Sequence, residues 1–68
     1  MTAAFRLTAR QRQVVVLLAE GLDYQQISRK LGITSRTVRM HVESVARSVP
    51  GRGPPLWRVL SNLDRLVA

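Results

Sequence analysis

The sequence contains no cysteine, a single histidine and only four acidic residues. A disulfide and a thiolate-bound metal are therefore excluded, and the scattered histidine and acids do not form the cluster that a metal site or a carboxylate pair needs. The sequence also has no glycine-rich loop with phosphate-binding spacing and no pairing of a nucleophile with a general base. We therefore expect no enzyme activity, no metal and no cofactor.

Long apolar segments are absent as well. The longest apolar run, from Val14 to Ala19, is far shorter than the roughly 20 residues that cross a bilayer. The N-terminus lacks the charged, apolar and small-residue order of a secretion signal. These absences lead us to expect a cytoplasmic protein with no membrane partner.

Basic residues are what the sequence has in excess. Eleven lysines and arginines against four acids give a net charge of +7 in 68 residues, which indicates a polyanionic partner. The length suffices for one domain with one small core, so we interpret residues 1–68 as a single domain. Domains of this size are marginally stable alone, and burial against a second subunit would help this one.

Three helix starts share one local pattern. Thr8 and Asp23 are each followed three residues later by a glutamine, Gln11 and Gln26, which is the spacing of a capping box. Thr34 has the chemistry of a third N-cap. Apolar residues at helical spacing follow each cap, although three consecutive β-branched valines interrupt the helical preference of the first. These repeating positions are Val14, Leu17, Leu18, Ile27, Leu31, Val38, Val42, Val45 and Val49.

Only Gly32, Ile33 and Thr34 separate the second and third helices. Two helices joined by so short a glycine-containing turn must cross at a steep angle, as in a helix-turn-helix unit. The pattern therefore predicts an all-α fold with a helix-turn-helix over residues of about 22–48.

A connector rich in proline and glycine runs from Val49 to Pro55, and Pro54 or Pro55 is suited to open a last helix of about 55–67. One apolar stripe follows this helix. Its spacing predicts core packing together with a dimer interface between two copies of the chain. The residues assigned to dimerisation are Leu56, Leu60, Leu63 and Val67.

The third helix is expected to carry the chemistry of binding. Its valines face inward, which leaves a basic face whose dimensions suit the major groove of double-stranded DNA. Arg39 offers a fork to guanine, Met40 an apolar contact to a thymine methyl group, and Glu43 an acceptor for a cytosine amino group. Contacts to the sugar-phosphate backbone are predicted for Thr34, Ser35, Arg36, Thr37 and Arg47.

The residues Leu7-Thr8-Ala9-Arg10, Leu31-Gly32-Ile33-Thr34 and Arg36-Thr37-Val38-Arg39-Met40-His41-Val42 resemble the LuxR-type (GerE-like) helix-turn-helix domain. The resemblance covers about residues 7–48. It implies a small four-helix domain, a tri-helical core plus a C-terminal helix, that binds a two-fold DNA site as a homodimer and regulates transcription at the nucleoid. The third helix would read DNA and the fourth would form the dimer contact.

Three positions depart from that family pattern. Gln11 replaces a usual glutamate, Val16 replaces a charged residue and leaves an exposed apolar spot, and Glu43 replaces a basic or small polar residue. The sequence is also similar to region 4 of sigma-70-type sigma factors, in its Leu-Thr-x-Arg opening and Thr-Val-Arg helix. That alternative implies a small factor that docks on RNA polymerase.

Overall fold

The computed structural model describes residues 6–67, and every regular element within that range is helical, as predicted. The helices α1 to α5 follow in chain order. They span Ala9–Ala19, Tyr24–Leu31, Ser35–Ala46, Pro55–Ser61 and Leu63–Leu66. Helix α3 contacts α1, α2 and α4, so the helix expected to read DNA is held by three others.

The three predicted N-caps are confirmed. The side chain of Thr8 accepts from Gln11 N at 3.1 Å, and Gln11 Oε1 accepts from Thr8 N at 3.1 Å. Asp23 and Gln26 repeat this reciprocal pair, with both distances at 2.8 Å. Each pair satisfies two backbone donors that lack partners within the helix, which fixes where α1 and α2 begin.

The turn between α2 and α3 depends on Gly32. Its backbone is left-handed, with φ of 70°, and this reverses the chain after the last turn of α2. The amide of Ile33 then donates to Ser28 O at 3.0 Å, which satisfies a carbonyl at the end of that helix. A residue with a Cβ is strained in this conformation, so glycine permits the short turn that sets the angle of α3.

The core lies where α1, α2, α3 and the C-terminal segment meet. The β-branched run at Val14 and Val15 is helical because both side chains are buried in this core, while Val16 is exposed at 38%. Tertiary packing thus overrides their strand preference. The buried apolar residues are Val14, Val15, Leu17, Leu18, Ile27, Val38, Val42, Val45, Ala46, Val49, Val59 and Leu66.

The prediction of one continuous helix from 55 to 67 is wrong, because the chain breaks at Asn62. The backbone there has φ of −118° and ψ of 17°, outside the helical region. The side-chain amide of Asn62 donates to Arg58 O at 2.7 Å, while its backbone amide shifts to Val59 O at 3.1 Å. A side chain that takes the carbonyl of the helical ladder interrupts the helix, which divides the segment into α4 and α5.

Among the described helices, none has both the length and the apolar composition needed to cross a membrane.

Candidate nucleic-acid interface

Helix α3 has one buried face and one open face. Val38, Val42 and Val45 are buried at four- and three-residue spacing and anchor the helix to the core. On the other side Arg36 and Arg39 are exposed, and Met40 is exposed at 58%. A rigid helix with a basic and apolar outer face has the shape and charge that fit a DNA groove.

Two threonines, Thr34 at the N-cap and Thr37 in the first turn, form the N-terminal cap of α3. Thr34 Oγ1 accepts from Thr37 N at 3.0 Å and lies 2.9 Å from Thr37 Oγ1. One of the two hydroxyl protons is therefore used within this pair, which leaves the other for an external acceptor. Both hydroxyls belong to the predicted backbone-contact set and stand at the positive end of the helix dipole, where anions are favoured.

The structure brings seven of the eight predicted contact residues onto two adjoining shallow depressions along α3, and the eighth, Thr34, lines neither of them. Met40 and Glu43 line both depressions and so form the ridge between them. The first depression is lined by Ser35, Arg36, Arg39, Met40 and Glu43. The second is lined by Gln11, Thr37, Met40, His41, Glu43, Ser44 and Arg47.

Tyr24, at the first position of α2, also belongs to this neighbourhood. It shares a small depression with Arg39, Glu43 and Pro55. Burial raises the pKa of Tyr24 above its ordinary value of 10.0; the Arg39 charge acts in the opposite direction and the Glu43 charge in the same one. The phenol therefore stays protonated at neutral pH, and its pKa responds to the charges of Arg39 and Glu43, two of the three predicted base-reading residues.

Two further residues that the sequence interpretation did not assign to the surface are Gln11 and Ser44. Gln11 Nε2 donates to Ser44 Oγ at 3.1 Å, across 33 positions of the chain. The capping-box spacing accounted for Gln11, and its departure from the usual glutamate of the family pattern did not identify Ser44 as a partner for its amide. Tyr24 was missed for a similar reason, since an isolated tyrosine after a cap carries no spacing pattern.

Three basic residues of α1 and α2, Arg12, Arg29 and Lys30, lie apart from the two depressions along α3. Arg29 and Lys30 occupy the last turn of α2 and are exposed. Lys30 and Arg12 line a separate depression with Val16, which confirms the expected exposed apolar spot on α1. Basic residues therefore occupy more than one face of the described chain, and α3 carries only part of them.

Comparison with known proteins decides the family. The model of the family described as bacterial regulatory proteins, luxR family, matches residues 6–48, which include α1, the turn and all of α3. The chain belongs to the LuxR family. Among curated proteins, the nitrate/nitrite response regulator protein NarL of Escherichia coli K12 is 39% identical to this chain over 44 residues. The match covers 65% of this chain and 20% of NarL.

A second relative is the E. coli K12 protein YhjB, whose name describes an HTH-type transcriptional regulator. It is 44% identical over 58 residues, which cover 85% of this chain and 29% of YhjB. The chain thus spans less than a third of the length of these two curated relatives, both of which are named as regulators. No solved structure matches the chain at a significant level.

The family match stops before the connector, and the predicted dimer residues of this LuxR-type chain lie beyond it, in α4, in α5 and just after α5. Leu56 and Leu63 are half-buried against the core, whereas Leu60 and Val67 are exposed at 37% and 41%. Trp57 is more exposed still, at 63%, and lies outside the core. The stripe thus has an inner half that folds the chain and an outer half that meets solvent.

Proposed function

We propose that this LuxR-family chain is the DNA-binding unit of a transcription regulator that inserts α3 into the major groove as a homodimer, at the bacterial nucleoid. The observation that carries the proposal is the open face of α3, where exposed Arg36, Arg39 and Met40 rise from a helix fixed by its buried valines. A preformed reading helix loses little conformational entropy on binding.

Base edges are contacted by Arg39, Met40 and Glu43. These residues line the first depression together, so one groove-bound pose brings all three to neighbouring bases. Arg39 donates to a guanine, Met40 packs on a thymine methyl group and Glu43 accepts from a cytosine amino group. Glu43 is half-buried beside Tyr24, which restricts its rotamers and favours one acceptor direction.

Phosphate and sugar contacts hold the helix in register. Both ends of the reading face supply such groups, and between them they span α3 from its cap to its last turn. Contacts of this kind orient a protein on DNA without reading its sequence. The residues assigned to them are Thr34, Ser35, Arg36, Thr37 and Arg47.

Dimerisation uses the outer half of the C-terminal stripe. Leu60 and Val67 are exposed apolar residues, and Leu56 shares an open apolar depression with Leu60 and Leu18. Pairing of two such faces would remove this apolar area from water and add stability that a chain of 68 residues needs. The assigned residues are Leu56, Leu60, Leu63 and Val67.

In-vitro selection from a random DNA pool tests this function. We expect enrichment of a two-fold site with a guanine at one position of each half-site. An Arg39→Ala variant should no longer select guanine at that position. Sequence-independent binding would contradict base reading by α3. Salt-resistant capture by core RNA polymerase without any sequence-specific DNA shift would support the alternative of a polymerase-associated factor.

A further inference from the structure

Asn62 is a buried polar residue of the described chain, with 5% of its surface exposed. Its side-chain amide donates two hydrogen bonds, to Arg58 O at 2.7 Å and to Pro50 O at 3.0 Å. The first bond lies within the C-terminal segment, but the second reaches 12 positions back to the connector that follows α3. Both donors of the amide are therefore used, as expected for a buried polar group.

Arg58 makes the complementary contact one turn earlier. Its Nε donates to Gly53 O at 3.2 Å, and its Nη1 lies 3.4 Å from Ala46 O in a longer hydrogen bond. Ala46 is the last residue of α3, which has no basic side chain of its own in its last turn. The guanidinium thus supplies positive charge at the negative end of the α3 dipole and holds the far end of the connector.

Between Pro50 and Pro54, two of the three connector residues are glycines. Gly51 and Gly53 have φ of 126° and 96°, and Gly51, Arg52 and Gly53 are exposed. Two glycines in such conformations allow many paths between α3 and α4. Arg58 and Asn62 select one of these paths, because together they fix carbonyls at both ends of the connector and at the end of α3.

We propose that Arg58 and Asn62 are positioning residues that set the angle between α3, the proposed reading helix, and α4, which carries part of the proposed dimer interface. This angle would determine the half-site spacing of the DNA target. This inference rests on the proposed dimer through α4. One base pair turns the DNA by about 34°, so a fixed angle between the two helices accepts one spacing and rejects its neighbours. A loose connector would accept several spacings with similar affinity.

The test uses the full chain and DNA with two half-sites separated by spacers of different lengths. Asn62→Leu removes both amide donors and supplies a residue that continues the helix. Ser61→Ala is its matched control, since Ser61 Oγ donates to Trp57 O at 2.8 Å, four residues back, without reaching the connector. Arg58→Met and Arg65→Met form a second pair, because Arg65 is an exposed arginine on α5.

We expect Asn62→Leu and Arg58→Met to reduce the preference for the best spacing over its one-base-pair neighbours by at least about fivefold, since each removes two hydrogen bonds and a single bond of typical net strength corresponds to about that factor. Both controls should keep the wild-type preference. Affinity for an isolated half-site should stay within about twofold in all four variants, because the reading face is untouched. If Asn62→Leu does not fold, the Arg58→Met pair decides the matter alone.

Three results would overturn the inference. An unchanged spacing preference in both variants would refute it while leaving the proposed dimeric function intact. Equal losses on isolated and paired half-sites would show that the substitutions damage α3 itself. A wild-type chain with no preference for paired sites would refute the proposed dimer and this inference together.

Discussion

Gln11 and Ser44 join the first turn of α1 to the last turns of α3 through a hydrogen bond of 3.1 Å from Gln11 Nε2 to Ser44 Oγ. The same glutamine accepts from Thr8 N through Oε1. Its side-chain amide therefore caps the start of α1 and also joins α1 to α3. A carboxylate at this position could still accept from Thr8 N, but it could not donate to the serine.

Gln11→Ala tests the strength of this double use. Gln26 completes an equivalent capping box on α2 with no interhelical bond among those described, so Gln26→Ala is the matched control. We expect Gln11→Ala to lower the free energy of unfolding by about 1 kcal/mol more than Gln26→Ala, the net value of a typical hydrogen bond. Urea unfolding measures both, and equal losses would contradict the tie to Ser44.

Arg39→Ala should weaken binding at a selected site by about 1–3 kcal/mol and relax base choice at one position. Arg36→Ala should instead weaken binding to all sequences alike and reduce the salt dependence of affinity by about one phosphate. Fluorescence anisotropy with matched and mismatched duplexes at several salt concentrations separates the two effects. A uniform loss for Arg39→Ala would reassign that arginine to the phosphate backbone.

Leu60→Glu should dissociate the proposed dimer with little effect on the fold of each subunit. Val16→Glu offers a close control, since the two side chains are exposed to 37% and 38% but only Leu60 lies on the dimer stripe. Sedimentation equilibrium should show monomers for Leu60→Glu and dimers for Val16→Glu. Dissociation by both substitutions, or by neither, would argue against the assigned interface.

The raised pKa of Tyr24 predicts a loss of stability at alkaline pH. Its folded pKa lies above the unfolded value of 10.0, so the folded state holds the proton more tightly and the stabilisation is present below pH 10. It decreases as the pH rises through the folded pKa. The difference in unfolding free energy between wild type and Tyr24→Phe should therefore shrink above about pH 10.

Urea unfolding of both proteins across this pH range measures the effect of Tyr24. The sequence helps the measurement, because it contains one tyrosine. Absorbance of the phenolate reports the folded pKa directly. If the difference in unfolding free energy between wild type and Tyr24→Phe stays constant from about pH 8 to about pH 11, the burial of this hydroxyl is contradicted.

The first three helices could be predicted from sequence because their signals are local. Thr8, Asp23 and Thr34 each cap a helix through a residue three positions later, and Gly32 marks the only turn between α2 and α3. The inward periodicity of the valines then fixes which face of α3 stays open. The caps and the apolar periodicity indicate the same helices here, and such agreement between local signals allows the helices to be predicted from the sequence.

The C-terminal segment could not be predicted in the same way. The break at Asn62 arises because its side chain captures the Arg58 carbonyl, and spacing alone does not reveal that competition. Likewise the contacts from Arg58 to Gly53 O and from Gln11 to Ser44 join positions that become neighbours only after packing. The angle between α3 and α4 therefore depends on contacts between distant residues, which sequence spacing does not reveal.

Arginine, and not lysine, supplies every cation on the open face of α3. Guanidinium groups keep their charge across the whole physiological pH range, and they are not substrates for lysine acetylation. The one lysine of the chain, Lys30, lines a different depression on α1 and α2. Acetylation of Lys30 would therefore neutralise charge beside Val16 and leave the proposed attraction between α3 and DNA phosphate unchanged.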